Sequence, residues 1–436
     1  MLKSACVVLC GMGMMLPVTG FAQSTEKSAT KAVRARDLGV PFDGTPGTYN
    51  AITDVAGVEV GYKTLISGNG AMVIGKGPVR TGVTAILPRG KTDGASVFAG
   101  FFSGNGNGDM TGTHWIEESG VMETPILITN TLSVGVVRDA AAEWMTQKNR
   151  PGLFWYPVVA ETADAYLNDI KGQHVTKQDA FDALNSAASG AIAEGNVGGG
   201  TGMFCNGFKG GSGSSSRVVK IGDATYTVGV FTQCNYGGRG ELRIAGIPVG
   251  REMKGAAVCL EKKLEPEPEL LQGSNLPLCD KTTMDEVAGN AAPVLGDGEL
   301  GSIIVIVATD APLSPDELKR LARRVPLGLG RAGTILANSS GDLFLAFSTA
   351  NKGADDGNSS ARDAAHVSKM ERLTSDSMNA LFLATVQATE ESVDNALVAA
   401  RTMEGADYLV VPALPHAELQ RVLRAHGLLV ESAAKP

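Results

Sequence analysis

Aromatic residues are scarce in this chain, at 5% of its 436 positions. A core with so few of them must rely on aliphatic side chains and close backbone approach, which the 55 glycines permit. Lysine and arginine form no block anywhere, and the formal net charge is −8. That excludes a nucleic-acid partner, because phosphate binding needs clustered cations. The five histidines, His114, His174, His366, His416 and His426, show no HExxH or other ligand spacing, and no CxxC pair occurs. No metal centre and no cofactor are therefore expected. Nucleotide signatures are missing as well. Lys209-Gly210-Gly211-Ser212-Gly213 lacks the GxxxxGK[ST] order. Gly328-Leu329-Gly330-Arg331-Ala332-Gly333 matches GxGxxG but follows a helical pattern and leads towards a strand, the reverse of the dinucleotide-binding context; it reads as a flexible turn. There is no GxSxG elbow and no SxxK motif opening a helix. A conventional Ser-His-Asp site has no recognisable setting, which favours a serine activated in another way.

Long apolar runs are absent beyond the first residues. Lys3, the apolar stretch Cys6 to Val18 and the small residues around Gly20-Phe21-Ala22 read as an export signal cut after Ala22. The run is too short and too interrupted for a membrane span, and bulky Leu9 argues against a lipoprotein site at Cys10. Residues 1–22 are thus expected to be removed, 23–35 to be disordered, and 36–436 to fold as one domain, periplasmic or secreted. Cleavage leaves Cys205, Cys234, Cys259 and Cys279. An oxidising compartment permits pairing; a Cys259–Cys279 bridge would staple the Glu/Pro/Lys-rich stretch between them. Cys205 and Cys234 are read equally as buried free thiols.

Strand-like and helix-like segments mix along the chain without a clean βαβ repeat or any fixed period. Residues 50–62 read as strand and turn, and further strands are expected over Thr81–Leu87, Thr124–Val137, Pro157–Ala160, Tyr226–Thr232, Leu343–Phe347 and Tyr408–Val411. Helices are expected at Asp139–Gln147, after a Thr176 cap with Asp179 at the third position, after the Ser314-Pro315-Glu317 capping box, at 375–388, at 390–403 and at 415–426. The glycine- and serine-rich 190–216 segment reads either as a loop lining a cleft or as flexible chain. Residues 260–292 read as an exposed loop open to proteolytic nicking.

One junction resists a packing explanation. Gly301-Ser302 opens the apolar run Ile303-Ile304-Val305-Ile306-Val307. A serine there gains nothing from burial. Scission of the bond before it would leave a hydroxyl nucleophile carrying its own amine, whose pKa of roughly 7.7–8.0 suits a general base near neutrality. Gly301 would allow a strained peptide at that point. Ser339-Ser340-Gly341-Asp342 just precedes the strand 343–347. If that strand neighbours the Ser302 strand, Ser340 would relay between Ser302 and Asp342.

At these residues the sequence resembles the DmpA/BapA family of L-aminopeptidase/D-esterases and β-peptidyl aminopeptidases. The resemblance runs from about Arg36 to the last helix. It rests on Arg36-Asp37-Leu38-Gly39, Asn50-Ala51-Ile52-Thr53-Asp54-Val55, Thr81-Gly82-Val83-Thr84, Ser103-Gly104-Asn105-Gly106-Asn107-Gly108 and Val158-Val159-Ala160-Glu161-Thr162. Gly200-Thr201-Gly202-Met203, Asn235-Tyr236-Gly237, Gly301-Ser302 and Ala308-Thr309-Asp310-Ala311-Pro312 complete it. The resemblance implies an α/β four-layer αββα sandwich, like that of N-terminal-nucleophile hydrolases with different strand connections. It implies a precursor that cuts itself between Gly301 and Ser302 into an α chain, 36–301, and a β chain, 302–436, assembled as a homo-oligomer, a tetramer of such αβ units. By position, Ser302 is the nucleophile, Ser340 and Asp342 support it, Asn235 donates to the oxyanion and Glu161 binds the substrate's ammonium group. Two departures stand out. Relatives often carry an aromatic residue two positions after the glutamate; here that position is Ala163, so that contribution is either missing or supplied from elsewhere, with Trp155 or Tyr156 as candidates. The 260–292 stretch is also longer than the family minimum.

The sequence thus predicts an exported, self-processing serine aminopeptidase acting on short peptides, amino acid amides or esters; acceptance of β-amino acid peptides is implied by the resemblance alone. Two rivals are weaker. An acyltransferase resembling ornithine acetyltransferases would use a threonine nucleophile inside cells, against Ser302 and the export signal. A catalytically silent periplasmic binding protein would not need Ser302, Asn235, Glu161 and Ser340 together.

Overall fold

The computed structural model describes residues 33–150, 152–280, 301–353 and 369–431. The expected export signal, most of the expected disordered segment, and residues 281–292 of the expected loop lie outside them. Order begins before Arg36: Arg34 pairs with Glu194 at 2.7 Å and Ala35 is buried.

Two sheets carry the fold. Glu59–Ser67 (β1), Val79–Leu87 (β2), Val97–Ser103 (β3), Val121–Met122 (β4), Ile126–Thr129 (β5) and Val158–Glu161 (β6) come first. The short pair Phe204–Cys205 (β7) and Phe208–Lys209 (β8) is followed by Gly211–Ile221 (β9), Ala224–Asn235 (β10), Cys259–Leu260 (β11), Ser302–Thr309 (β12) and Asp342–Ser348 (β13). Met403–Glu404 (β14) and Leu409–Val411 (β15) come last. One sheet runs β1-β2-β5-β6, the other β4-β3-β13-β12-β10-β9.

Period-two alternation places the layers. In β12, Ile304, Ile306 and Ala308 face a core shared with Ile86, Ile126, Ile128, Val158 and Ala160 of the four-stranded sheet. Ile303, Val305 and Val307 face the opposite way, against Leu318, Leu321 and Leu329 and the helix Met378–Ala399. On the outer side of the four-stranded sheet, Val83, Ala85, Leu127 and Val159 meet Val137, Ala141, Trp144, Ala183 and Leu184 from two further helices. The order is helix, sheet, sheet, helix, which is why β12 is buried along its whole length and reads as an unbroken apolar run.

Several local readings are corrected. Val134–Val137 is the first turn of the helix Val134–Gln147, because Val134, Val137, Ala141 and Trp144 recur at helical spacing on the buried face. Met378–Ala399 is one helix. It passes through Glu390-Glu391 unbroken because Glu391 lies in the interior, bonded by Arg36, Arg217 and Asn50. The GxGxxG match lies largely in the helix Val325–Ala332, where Gly328 lets it cross Met378–Ala399: a Cβ there would meet Thr389 Cβ at 2.6 Å. Much of the 190–216 segment is neither loop nor flexible chain. Gly211–Ser216 is buried strand, and at Gly213 a Cβ would lie 2.1 Å from the Ser392 carbonyl of the covering helix. Its serines bond inward, Ser215 Oγ to Ala388 O at 2.5 Å and Ser214 Oγ to Val230 O at 2.6 Å. Nor is 260–280 simply exposed: β11 pairs with β15, and Leu271 and Leu276 are buried. Both disulfides are present, Cys259–Cys279 and Cys205–Cys234, so Cys205 and Cys234 are not free thiols.

The capping expectations hold in detail. Ser314 N donates to Glu317 Oε2 at 3.0 Å, and Thr176 N donates to Asp179 Oδ2 at 2.8 Å. Among the described residues no helix is long and apolar enough to cross a membrane.

Candidate active site

Three strand ends meet at one corner of the six-stranded sheet. Ser302, first residue of β12, pairs across the antiparallel ladder with Asn235, last residue of β10. On its other side β13 runs parallel, with Asp342 in register with Ile303. Ser302, Asn235, Ser340 and Asp342 are therefore brought together, as their sequence positions suggested.

Hydrogen bonds fix each group. The Gly341 backbone N–H donates to Ser302 Oγ at 3.0 Å. Asp342 Oδ1 accepts from Ser340 Oγ at 2.7 Å and from the Ile303 N–H at 3.2 Å. The expected relay through Ser340 is thus joined to Ser302 by backbone: the hydroxyl bond is to Gly341, and Asp342 reaches the chain one residue beyond the serine. Asn235 Nδ2 donates to Ala163 O at 3.0 Å, and its Oδ1 accepts from the Phe204 N–H at 2.8 Å. Both ends of that carboxamide are occupied, which sets its orientation. Gly301 has φ 129°, and a Cβ on it would lie 1.9 Å from the Asn235 carbonyl oxygen. Only glycine fits there.

Glu161 arrives from the other sheet. It ends β6, in register with Thr129 of the parallel β5, and is 3% exposed. Burial pushes its carboxyl above the ordinary range, against the opposing pull of bonds from Thr131 Oγ1 and the Asp109 N–H. A carboxylate held this way gains from a cation brought beside it. Glu161, Asn235, Gly301 and Ser302 line one cavity of about 310 Å³. It can hold a small molecule by a cationic end at Glu161 and present its carbonyl at Ser302.

Sequence reasoning missed several residues here. Asn105 grips Asp342 from both sides, Nδ2 donating to Oδ2 at 3.0 Å and Oδ1 accepting from the Asp342 N–H at 2.8 Å. Asn107 Nδ2 holds the Ser339 carbonyl at 2.6 Å. The Ser103–Gly108 run carrying both was visible as a motif, but nothing in it named its target. The aromatic wall is not built from Trp155 or Tyr156. Tyr166 and Phe204 line the cavity, whereas Tyr156 clusters with His114, Trp115 and Phe154. Leu270 also lines it.

The model of peptidase family S58 matches residues 50–411. A β-peptidyl aminopeptidase, BapA, of Sphingosinicella microcystinivorans is 50% identical over 402 residues, covering 92% of this chain and 94% of the relative. The L-aminopeptidase D-Ala-esterase/amidase of Ochrobactrum anthropi, described as a prototype for the serine aminopeptidases and a variant of the Ntn-hydrolase fold, superposes with a TM-score of 0.76 at 43% identity. That alignment covers 91% of this chain and 99% of the other. A Burkholderia sp. β-aminopeptidase gives a TM-score of 0.75 at 42% identity over the same shares.

Proposed function

The chain belongs to peptidase family S58 and is a serine aminopeptidase of the N-terminal-nucleophile kind; on that premise we propose that it activates itself by cutting Gly301–Ser302 and then works through an acyl-enzyme on Ser302. The observation that carries this reading is the shared cavity, with a buried carboxylate at one side and the strand-opening serine at the other.

In the first reaction Ser302 Oγ attacks the Gly301 carbonyl carbon. The C–N bond breaks, giving an ester and a free Ser302 amine, and water hydrolyses the ester to leave Gly301 as a carboxylate. The glycine-only backbone at 301 supports this step. In the second reaction the substrate's ammonium group pairs with Glu161 through a charge-assisted hydrogen bond. The freed amine takes the Ser302 hydroxyl proton as Oγ attacks the substrate carbonyl, and passes it to the departing amine. The second N–H of Asn235 Nδ2, beside the one given to Ala163 O, donates to the developing oxyanion, a contribution typically worth about 3–4 kcal/mol. Water then releases the amino acid. Asp342, facing the start of β12 through Ile303 N–H, stabilises the amine once it is protonated, while Ser340 and Asn105 hold the carboxylate still.

The substrate class proposed is short peptides, amino acid amides or esters, with β-amino acid termini accepted. The last point rests on the likeness to the Sphingosinicella enzyme and calls for turnover of β-alanyl amides; their inertness beside good α-amino amide activity removes it. Export to the periplasm and assembly as a tetramer of cut units complete the proposal, to be checked by cell fractionation and light scattering. The central test is N-terminal sequencing of the mature protein. A fragment beginning Ser-Ile-Ile, absent from Ser302→Ala, is expected. An active enzyme lacking that fragment refutes the mechanism.

A further inference from the structure

Leu270 is an apolar side chain left 48% exposed, while its neighbour Leu271 is 3% exposed. Folding alone explains only the second. Leu271 and Leu276 anchor their segment in a small core with Leu167, Val258, Leu260, Met403, Leu409 and Val411, against which Tyr166 and Phe204 also pack. Leu270 instead lines the cavity that holds Glu161 and Ser302. Its segment is an excursion pinched at both ends. Leu260 N–H donates to Pro277 O at 2.9 Å, Cys279 N–H donates to Leu260 O at 3.0 Å, and Cys259 is bonded to Cys279.

Building on the aminopeptidase reading, we infer that this disulfide-stapled segment is a specificity wall, with Leu270 selecting for the side chain of the substrate's N-terminal residue. The position of the wall gives the assignment. Ala163, Ala165 and Tyr166 follow Glu161 directly in the chain, and Phe204 is tied to Asn235 through its N–H. The apolar lining therefore runs alongside the span between the ammonium site and the oxyanion donor. The part of the substrate lying along that span is the terminal residue itself, and what projects from it meets Ala163, Ala165, Tyr166, Phe204 and Leu270. Leu270 is the residue that the segment adds to the cavity lining, so the segment selects apolar side chains by burial and not by hydrogen bonding. The disulfide limits how far the wall can retreat.

The test uses full-length, processed enzyme and 4-nitroanilides of alanine, leucine, β-alanine and β-homoleucine, which share one leaving group. Leu270→Ala is expected to lower the ratio of kcat/KM for leucyl over alanyl, or β-homoleucyl over β-alanyl, by about tenfold, chiefly through KM. The Cys259→Ser/Cys279→Ser double variant is expected to move the ratio the same way, and Glu267→Ala, on the exposed side of the segment, is expected not to move it. An unchanged ratio in Leu270→Ala overturns the inference, as does a change seen only when the leaving group is varied. Wild-type-like selectivity in the double cysteine variant overturns the role of the staple. A parent enzyme that cleaves none of these amides refutes the aminopeptidase reading instead, so the two failures are distinguishable.

Discussion

Replacing Gly301 with alanine should uncouple folding from self-processing. The added Cβ would lie 1.9 Å from the Asn235 carbonyl oxygen and 2.8 Å from its carbonyl carbon. Carbon–oxygen contacts seldom close below about 3.3 Å, so the start of β12 or the end of β10 has to move by more than ~1 Å. The backbone adds to this, since φ 129° is a conformation that alanine adopts only at a penalty of about 1–3 kcal/mol. A displacement of about 1 Å in a reacting pair costs on the order of 10²-fold in rate, and here the displaced atoms are the nucleophile and the carbonyl it attacks. Gly301→Ala should therefore accumulate as a folded, uncut chain, with processing slowed by about 10²-fold or more. Timed samples on denaturing electrophoresis measure this directly, with Ser302→Ala marking the uncut band and circular dichroism reporting the fold. A folded Gly301→Ala chain that cuts itself within about twofold of the parent rate would refute the reasoning, because a factor of two is far below the 10²-fold that the misplacement implies.

Glu161→Gln should raise KM for free-amino substrates by about 10²-fold, the loss of a charge-assisted bond, as steady-state kinetics will show. In the parent, KM should climb on acidification earlier than an exposed carboxylate would cause, because burial raises this carboxyl. Stability runs the other way. A carboxyl whose folded-state pKa is raised supports folding at low pH and loses that support as pH rises, so Glu161→Gln should raise Tm at pH 7 but not near pH 4. Glu391→Ala should cost about 3–5 kcal/mol in urea unfolding, since it removes the carboxylate that pairs with Arg217 at 2.8 Å, a guanidinium only 1% exposed. Burial works to raise the Glu391 carboxyl, but Arg36 and Arg217 outweigh it and hold it low, so its contribution should persist at neutral pH and fade only in acid, below the ordinary carboxylate range. A loss under about 1 kcal/mol would mean that the cluster is not what fixes this helix.

What could be read from the sequence was what local chemistry dictates. Gly301-Ser302 stood out because a hydroxyl at the head of an apolar strand has no packing purpose. Asp342 stood out because polar residues crowd the start of another apolar strand. Capping boxes announced themselves within four residues. What could not be read depended on partners far along the chain. Arg36 and Asn50 belong to visible motifs, yet both serve Glu391, more than 300 residues away. Asn105 clasps Asp342 across 237 residues. The Gly/Ser run at 211–216 suggests flexibility until the helix lying on it is seen. The cavity wall draws Tyr166, Phe204 and Leu270 from three separate segments, and no periodicity links them.

The strand order has one more consequence. β12 and β13 follow the proposed cut, whereas β10 and β3, which flank that pair, precede it. The two products would be woven through a single sheet, neither owning a complete edge-to-edge ladder. A molecule that has been cut and then melted must rebuild by encounter of two separate polypeptides, not by one chain folding on itself. Recovery of activity after heating should thus depend on protein concentration in the cut enzyme and not in folding of the intact Ser302→Ala chain. Maturation, on this view, trades repeatable folding for chemistry: the chain can weave that sheet unaided only before the amine of Ser302 is freed.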